Sequence, residues 1–80
     1  MIVHFTTRSG AEYAVDPVKK TWRRVAGPDL LYPWPQSGNY VEMSEIRVGW
    51  GVVWSIDNEI PGQVVENNST PVIRIWETEN

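Results

Sequence analysis

Apolar and polar side chains alternate with a period of two along much of this chain, the spacing of half-buried β-strands. In the first such run Val3, Phe5 and Thr7 share one face and Ile2, His4 and Thr6 the other. Arg8-Ser9-Gly10 is a turn signal, after which Ala11, Tyr13 and Val15 alternate with Glu12, Ala14 and Asp16. Asp16-Pro17 opens the next turn. Thr21 to Val25 continues the meander as a third strand. Trp22 and Arg24 lie on one side of it, and Thr21, Arg23 and Val25 on the other. Nothing local decides which side faces inward.

Tyr40 to Val48 predicts a fourth strand with a fault. Val41 and Met43 set one parity and Ile46 and Val48 the other, which requires a β-bulge near Ser44-Glu45 or a break into two strands. Val48 to Ile56 has the most regular pattern: Val48, Trp50, Val52, Trp54 and Ile56 alternate with Gly49, Gly51, Val53 and Ser55. Trp50 and Trp54 are therefore expected in the core. The two glycines mark a bend or a close approach by another part of the molecule. Asp57-Asn58-Glu59 and Pro61-Gly62 read as a turn, Gln63 to Glu66 as a short strand and Asn67 to Pro71 as a loop. Val72 to Trp76 is the last strand, with Val72, Arg74 and Trp76 opposite Ile73 and Ile75.

Composition supports this reading. Val, Ile and Thr number 11, 6 and 5, against two Leu and three Ala, and β-branched residues suit a pleated surface. The expectation is one all-β domain over residues 1–80, a small five- to six-stranded antiparallel barrel or a compact sandwich. With no cysteine, disulfides and thiolate metal sites are excluded. A single histidine cannot complete a classical zinc site. No run of 18 apolar residues is present, and the first residues have neither a basic nor an apolar signal region, so no membrane span and no signal peptide are expected. At 80 residues the five tryptophans must substitute for staples, or a second copy must help.

Charge changes the picture in one place. The net charge is −3, yet residues 1–39 carry five basic and three acidic side chains, and residues 40–80 two basic and seven acidic. Four of the basic residues stand in Lys19-Lys20-Thr21-Trp22-Arg23-Arg24. The Pro-rich segment Gly27 to Asn39 follows, carrying Leu30, Leu31, Tyr32 and Trp34. Arginine forks suit phosphate and aromatic faces suit bases. Arg23 and Arg24 with Tyr32, Trp34 and Tyr40 are thus the candidate ligand-binding residues, for a nucleotide or cyclic oligonucleotide. The plain alternatives are a solvated turn that protects a sheet edge and a loop that plugs one end of the barrel. The negative net charge argues against duplex nucleic acid. Trp22, Trp34 and Trp76 are undecided between core and surface; Trp76 shares a face with Arg74, which would suit a protein interface.

Catalytic residues are not found. His4 has no nearby Ser or Asp partner, and the serines lack a nucleophile-elbow context. Asp57 and Glu59 fit ordinary turn chemistry better than a Ca²⁺ site. No Gly-rich phosphate loop is present, and the two overlapping Asn-X-Ser/Thr triplets at Asn67 and Asn68 have no secretory context. No enzyme activity, cofactor or metal is expected.

Thr7-Arg8-Ser9-Gly10, Tyr13, Val15-Asp16, Lys20 and Trp22-Arg23-Arg24, with Ile46-Arg47-Val48-Gly49 and Thr70-Pro71-Val72 later, resemble a recurring type of small bacteriophage accessory protein. The resemblance covers roughly half of the chain and carries no functional residue with it. It implies a short β-rich product, encoded outside the virion structural genes and acting in the cytoplasm of a bacterial host. Some such proteins sequester a signalling nucleotide, and others block a host defence protein. The leading expectation is a non-enzymatic anti-defence factor that sequesters a nucleotide or cyclic oligonucleotide. The alternatives are an inhibitor that binds a host protein through its aromatic loop or acidic face, and a virion structural or homo-oligomeric protein.

Overall fold

Seven antiparallel strands form one continuous sheet in the order β6-β5-β4-β3-β2-β1-β7. The computed structural model describes residues 1–29, 35–56 and 65–79. The strands are β1 Ile2–Thr7, β2 Glu12–Asp16, β3 Thr21–Ala26, β4 Ser37–Met43, β5 Val53–Ile56, β6 Val65–Asn68 and β7 Val72–Thr78. The all-β expectation holds, with seven strands instead of five or six. β6 overlaps the short strand read over Gln63 to Glu66 and extends through Asn67 and Asn68, both read from sequence as loop.

Register assigns the faces. Val3 pairs with Val15 and Phe5 with Tyr13, while Val15 pairs with Trp22 and Tyr13 with Arg24. Directly opposed residues share a face, so Trp22 and Arg24 turn inward with Phe5, Tyr13 and Val15. Trp22 is 4% exposed. It lies opposite Gly38 on β4, where a Cβ would sit 3.6 Å from the Trp22 Nε1, an ordinary contact distance. The core is Phe5, Val15, Trp22, Tyr40, Val52, Trp54 and Val72, with Tyr13, Met43, Ile46, Ile56 and Ile75 packed against it.

The parity fault in the fourth strand is resolved in two steps. A register shift between Tyr40 and Glu42 makes Val41 the extra residue, and it is exposed. Tyr40 and Met43 thereby both face inward. The strand ends at Met43, where the Ser44 hydroxyl accepts from the Val53 amide at 2.9 Å. The bulge occurs, earlier than Ser44-Glu45; the break into two strands does not, since between Met43 and β5 the chain makes only an isolated bridge from Val48 to Val72.

The expected long strand from Val48 to Ile56 does not form as such. Gly49 has φ 92°, the left-handed region that only glycine enters freely, and the chain turns there. Trp50 is consequently 64% exposed, which corrects its expected place in the core. Trp54 and Val52 are buried as expected. Gly51 meets the other expectation, close approach: a Cβ there would lie 2.7 Å from the Ser69 carbonyl oxygen. This is the seam of the molecule. Val52 and Ser69 exchange a backbone bond and a side-chain bond, both 2.9 Å. Gly49 donates to the Val72 carbonyl at 2.7 Å, and Val72 donates to the Trp50 carbonyl at 2.9 Å.

Candidate functional site

The curled sheet leaves a cleft of about 330 Å³ on its inner side, lined by Tyr13, Trp22, Trp54, Arg24, Pro35 and the β6 residues around Asn67. That volume is at the lower end for small-molecule sites, roughly 300–1,000 Å³. Its walls are aromatic. Trp22 and Trp54 are tilted against one another with centroids 5.3 Å apart, and Tyr13 stacks on Phe5 at 5.1 Å.

Arg24 reaches this cleft because it shares the inner face with Trp22. Its Nη2 donates to the Pro28 carbonyl at 2.6 Å. Gly27, at φ 148°, allows that turn: a Cβ there would lie 2.9 Å from the Ala11 Cα and collide with the Arg24 guanidinium. The Nε of Arg24 and the Nε1 atoms of Trp22 and Trp54 are buried, with no hydrogen-bond partner among the described residues. All three belong to residues that line the cleft. A buried donor without a partner is worth about 1–3 kcal/mol of lost stability. His4 Nδ1 on the outer face is a fourth such atom, and Trp22 Nε1 lies beside Gly38 of β4. Among the described residues the cleft carries one basic side chain, Arg24, while Glu66 borders it from the outer face, opposite Ser55. The cleft suits a planar, acceptor-bearing ligand better than a polyphosphate.

Arg23 lies on the other face. It borders an outer depression of about 410 Å³ with Lys19, Thr21, Asn39 and Asp16. The Asp16 carboxylate is engaged in the turn below, accepting from the Val18 and Lys19 amides at 3.0 and 3.1 Å. The basic run is therefore divided by the pleat, and the two arginines do not converge. Tyr40 is buried in the inner core. Burial, and secondly the negative charge of Asp16, raise its phenol above the ordinary 10.0. Tyr32 and Trp34 lie outside the described residues.

Trp76 is half-buried on the outer face. Its ring stacks on His4 at 5.2 Å with an interplanar angle of 7°, and the Arg74 guanidinium stands 4.6 Å from its centroid. His4 Nε2 lies 2.8 Å from the Thr78 hydroxyl. Of the three undecided tryptophans, Trp22 thus belongs to the inner cleft and Trp76 to an outer stack. Arg23 shares the outer row with Trp76, separated from it by Ala14 and His4.

Sequence reading missed Tyr13, Trp54 and Asn67 as cleft residues. Tyr13 and Trp54 carried the signal of core positions, and a cleft lined by core aromatics looks the same as a core in one dimension. Asn67 carried no signal, since it was read as the start of the loop that follows the short strand at Gln63 to Glu66. Comparison with protein-family models, with curated proteins and with solved structures finds no match to this chain. Among the described residues no group of three or more His, Asp or Glu side chains gathers to hold a metal ion. No helix among them is long and apolar enough to cross a membrane.

Proposed function

We propose that this protein is a non-enzymatic binding domain that sequesters a nucleotide, seating the base in the inner cleft. The observation that carries this reading is the inner cleft walled by Tyr13, Trp22 and Trp54 with Arg24 on its lining. Aromatic walls favour a flat heterocycle through stacking, worth about 1–3 kcal/mol per base. The Arg24 guanidinium can donate to ring nitrogens and carbonyls of a base, and Asn67, which shares the inner face with Trp54, can accept from an exocyclic amine. The cleft accommodates one nucleotide unit, so a cyclic oligonucleotide would insert a single base and leave the rest outside. Sequestering such a signal during phage infection of a bacterial cell is the role consistent with the resemblance of the first three strands.

Titration calorimetry against linear and cyclic nucleotides tests the reading, with tryptophan fluorescence as a second readout because Trp22 and Trp54 form the wall. Saturable binding that Arg24→Met weakens at least tenfold is expected. Absence of heat and of fluorescence change with every nucleotide at high micromolar concentration overturns it. The host-protein reading has one observation in its favour, the exposed Trp50 with the Arg47 guanidinium 5.5 Å from its ring, since Trp and Arg dominate interface hot spots.

A further inference from the structure

The two edges of the sheet differ in a way that points to a second copy of the chain. One edge is β6, four residues long and carrying Glu66, Asn67 and Asn68. Short polar edges are how β-proteins avoid unwanted pairing. The other edge is β7, seven residues long with the sequence Val-Ile-Arg-Ile-Trp-Glu-Thr. It has no proline and no lysine, and its only irregularity is the register shift that makes Ile73 the extra residue. On its free side the seam occupies only Val72, through Gly49 and Trp50. Among the described residues β7 packs on β1 and on no other strand, and Ile73, Arg74, Glu77 and Thr78 are exposed.

We propose that β7 pairs antiparallel with β7 of a second copy about a two-fold axis at Ile75, joining two sheets into one of fourteen strands. A two-fold axis perpendicular to the sheet keeps each face in register, so Ile75 opposes its own copy. Arg74 then opposes Trp76 of the other chain, twice over. Both residues lie on the outer face, in the cross-strand row already occupied by His4. Arg74 already places its guanidinium over the Trp76 ring of its own strand. The same cation–π chemistry is available across the axis, and the His4–Trp76 stack would continue into the partner's arginine. On the other register step, Ile73 opposes Glu77. No like charges oppose each other, and the apolar Ile75 meets its own kind. The partner is therefore another copy of this chain, and the nucleotide cleft, on the inner face, plays no part in the pairing.

Sedimentation equilibrium on the full chain, with engineered thiols, tests this. The chain contains no cysteine, so a single introduced thiol is unambiguous. Wild type is expected to sediment at twice the mass of one chain at 100 micromolar. Ile75→Cys is expected to form a disulfide-linked dimer under mild oxidation, because opposed Cα atoms about 4.5–5.5 Å apart are within disulfide reach. Thr78→Cys would place its two thiols about 20 Å apart and is expected to remain uncrosslinked. Ile75 packs on the core, so Arg74→Glu at an exposed site supplies an independent measure: it should weaken the dimer about tenfold by facing a carboxylate to the indole. A monomer at all concentrations overturns the proposal. So does a dimer that Thr78→Cys crosslinks as readily as Ile75→Cys, or one that Arg74→Glu leaves unchanged.

Discussion

Tyr13 on β2 meets Trp54 on β5 edge-on, with ring centroids 5.3 Å apart and planes at 70°. Two strands, β3 and β4, separate them in the sheet. In a flat sheet they would stand about 14 Å apart, three strand spacings. Their contact therefore measures the curl of the sheet, which both closes the core and shapes the cleft. Trp54 is 2% exposed and touches Trp22 as well, so it links three strands.

Trp54 and Trp50 should accordingly behave as opposites, although they sit on the same parity. Trp54→Ala removes the central ring of the core, and a loss of about 3–5 kcal/mol is expected. Trp50→Ala touches only an exposed ring and its cation–π partner, so a change within about 1 kcal/mol is expected. Urea denaturation followed by circular dichroism reads both. Equal destabilisation by the two substitutions would contradict the placement of Trp50 outside the core.

This contrast shows where one-dimensional pattern stops being informative. The β1–β2 hairpin was legible because its alternation, its turn residues and its face assignment are all local. The inward face of Trp22 was not, since it depends on Val15 and Gly38, partners supplied by other strands. The run from Val48 to Ile56 misled because alternation survives a change of direction. Gly49 and Gly51 kept the period while the first turned the chain and the second admitted Ser69. In the same way the run from Lys19 to Arg24 reads as one basic patch, yet the pleat sends Arg23 outward and Arg24 inward. The cleft could not be read at all, because its aromatic walls are core residues in sequence.

The seam makes a sharper prediction than the core. Ser69 accepts from the buried Val52 amide through its hydroxyl at 2.9 Å. Ser69→Ala leaves that amide without its side-chain partner, and a cost of about 1–3 kcal/mol is expected. Gly51→Ala drives a methyl into the Ser69 carbonyl from the other direction, a backbone atom that cannot swing aside, and should cost at least as much. Thermal melts of both variants check this, with about 4–8 °C lost per kcal/mol in a domain of this size. Wild-type melting temperatures in both would mean that the seam contributes nothing.

Arg24 separates binding from stability. Its Nε is buried without a partner among the described residues, so replacing the guanidinium by an apolar chain removes an unsatisfied donor together with the bond to Pro28. These effects oppose each other, and Arg24→Met is expected to change stability by less than about 1 kcal/mol. Nucleotide affinity should fall at least tenfold in the same protein. Chemical denaturation and calorimetry on one preparation give both numbers. A large loss of stability would reassign Arg24 to the fold.

Lys20 is in the left-handed region at φ 54°, in the turn that joins β2 to β3. A side chain there costs about 1–2 kcal/mol, and among the described residues the side-chain bond that opposes its removal is an exposed 3.3 Å contact from Nζ to the Val41 carbonyl. Lys20→Gly is therefore expected to stabilise the fold by up to about 1 kcal/mol, after the greater backbone entropy of glycine is set against the relieved strain. A lower urea midpoint in the variant would show that the Val41 contact outweighs the strain.

Tyr40 couples the stability of the fold to alkaline pH. Burial and the Asp16 carboxylate hold its phenol above 10.0, so the folded chain retains a proton that the unfolded chain has begun to lose. The stabilisation is complete below pH 10, where both states are protonated. It disappears as pH rises from the unfolded value through the folded one. Stability should therefore fall with pH beyond about 10, and Tyr40→Phe should flatten that fall by removing the ionising group while keeping the ring in place. The measurement is the difference between wild type and variant in urea midpoint from pH 8 to pH 11, which cancels contributions common to both. Parallel curves would show that the Tyr40 hydroxyl ionises as freely in the folded protein as in the unfolded one.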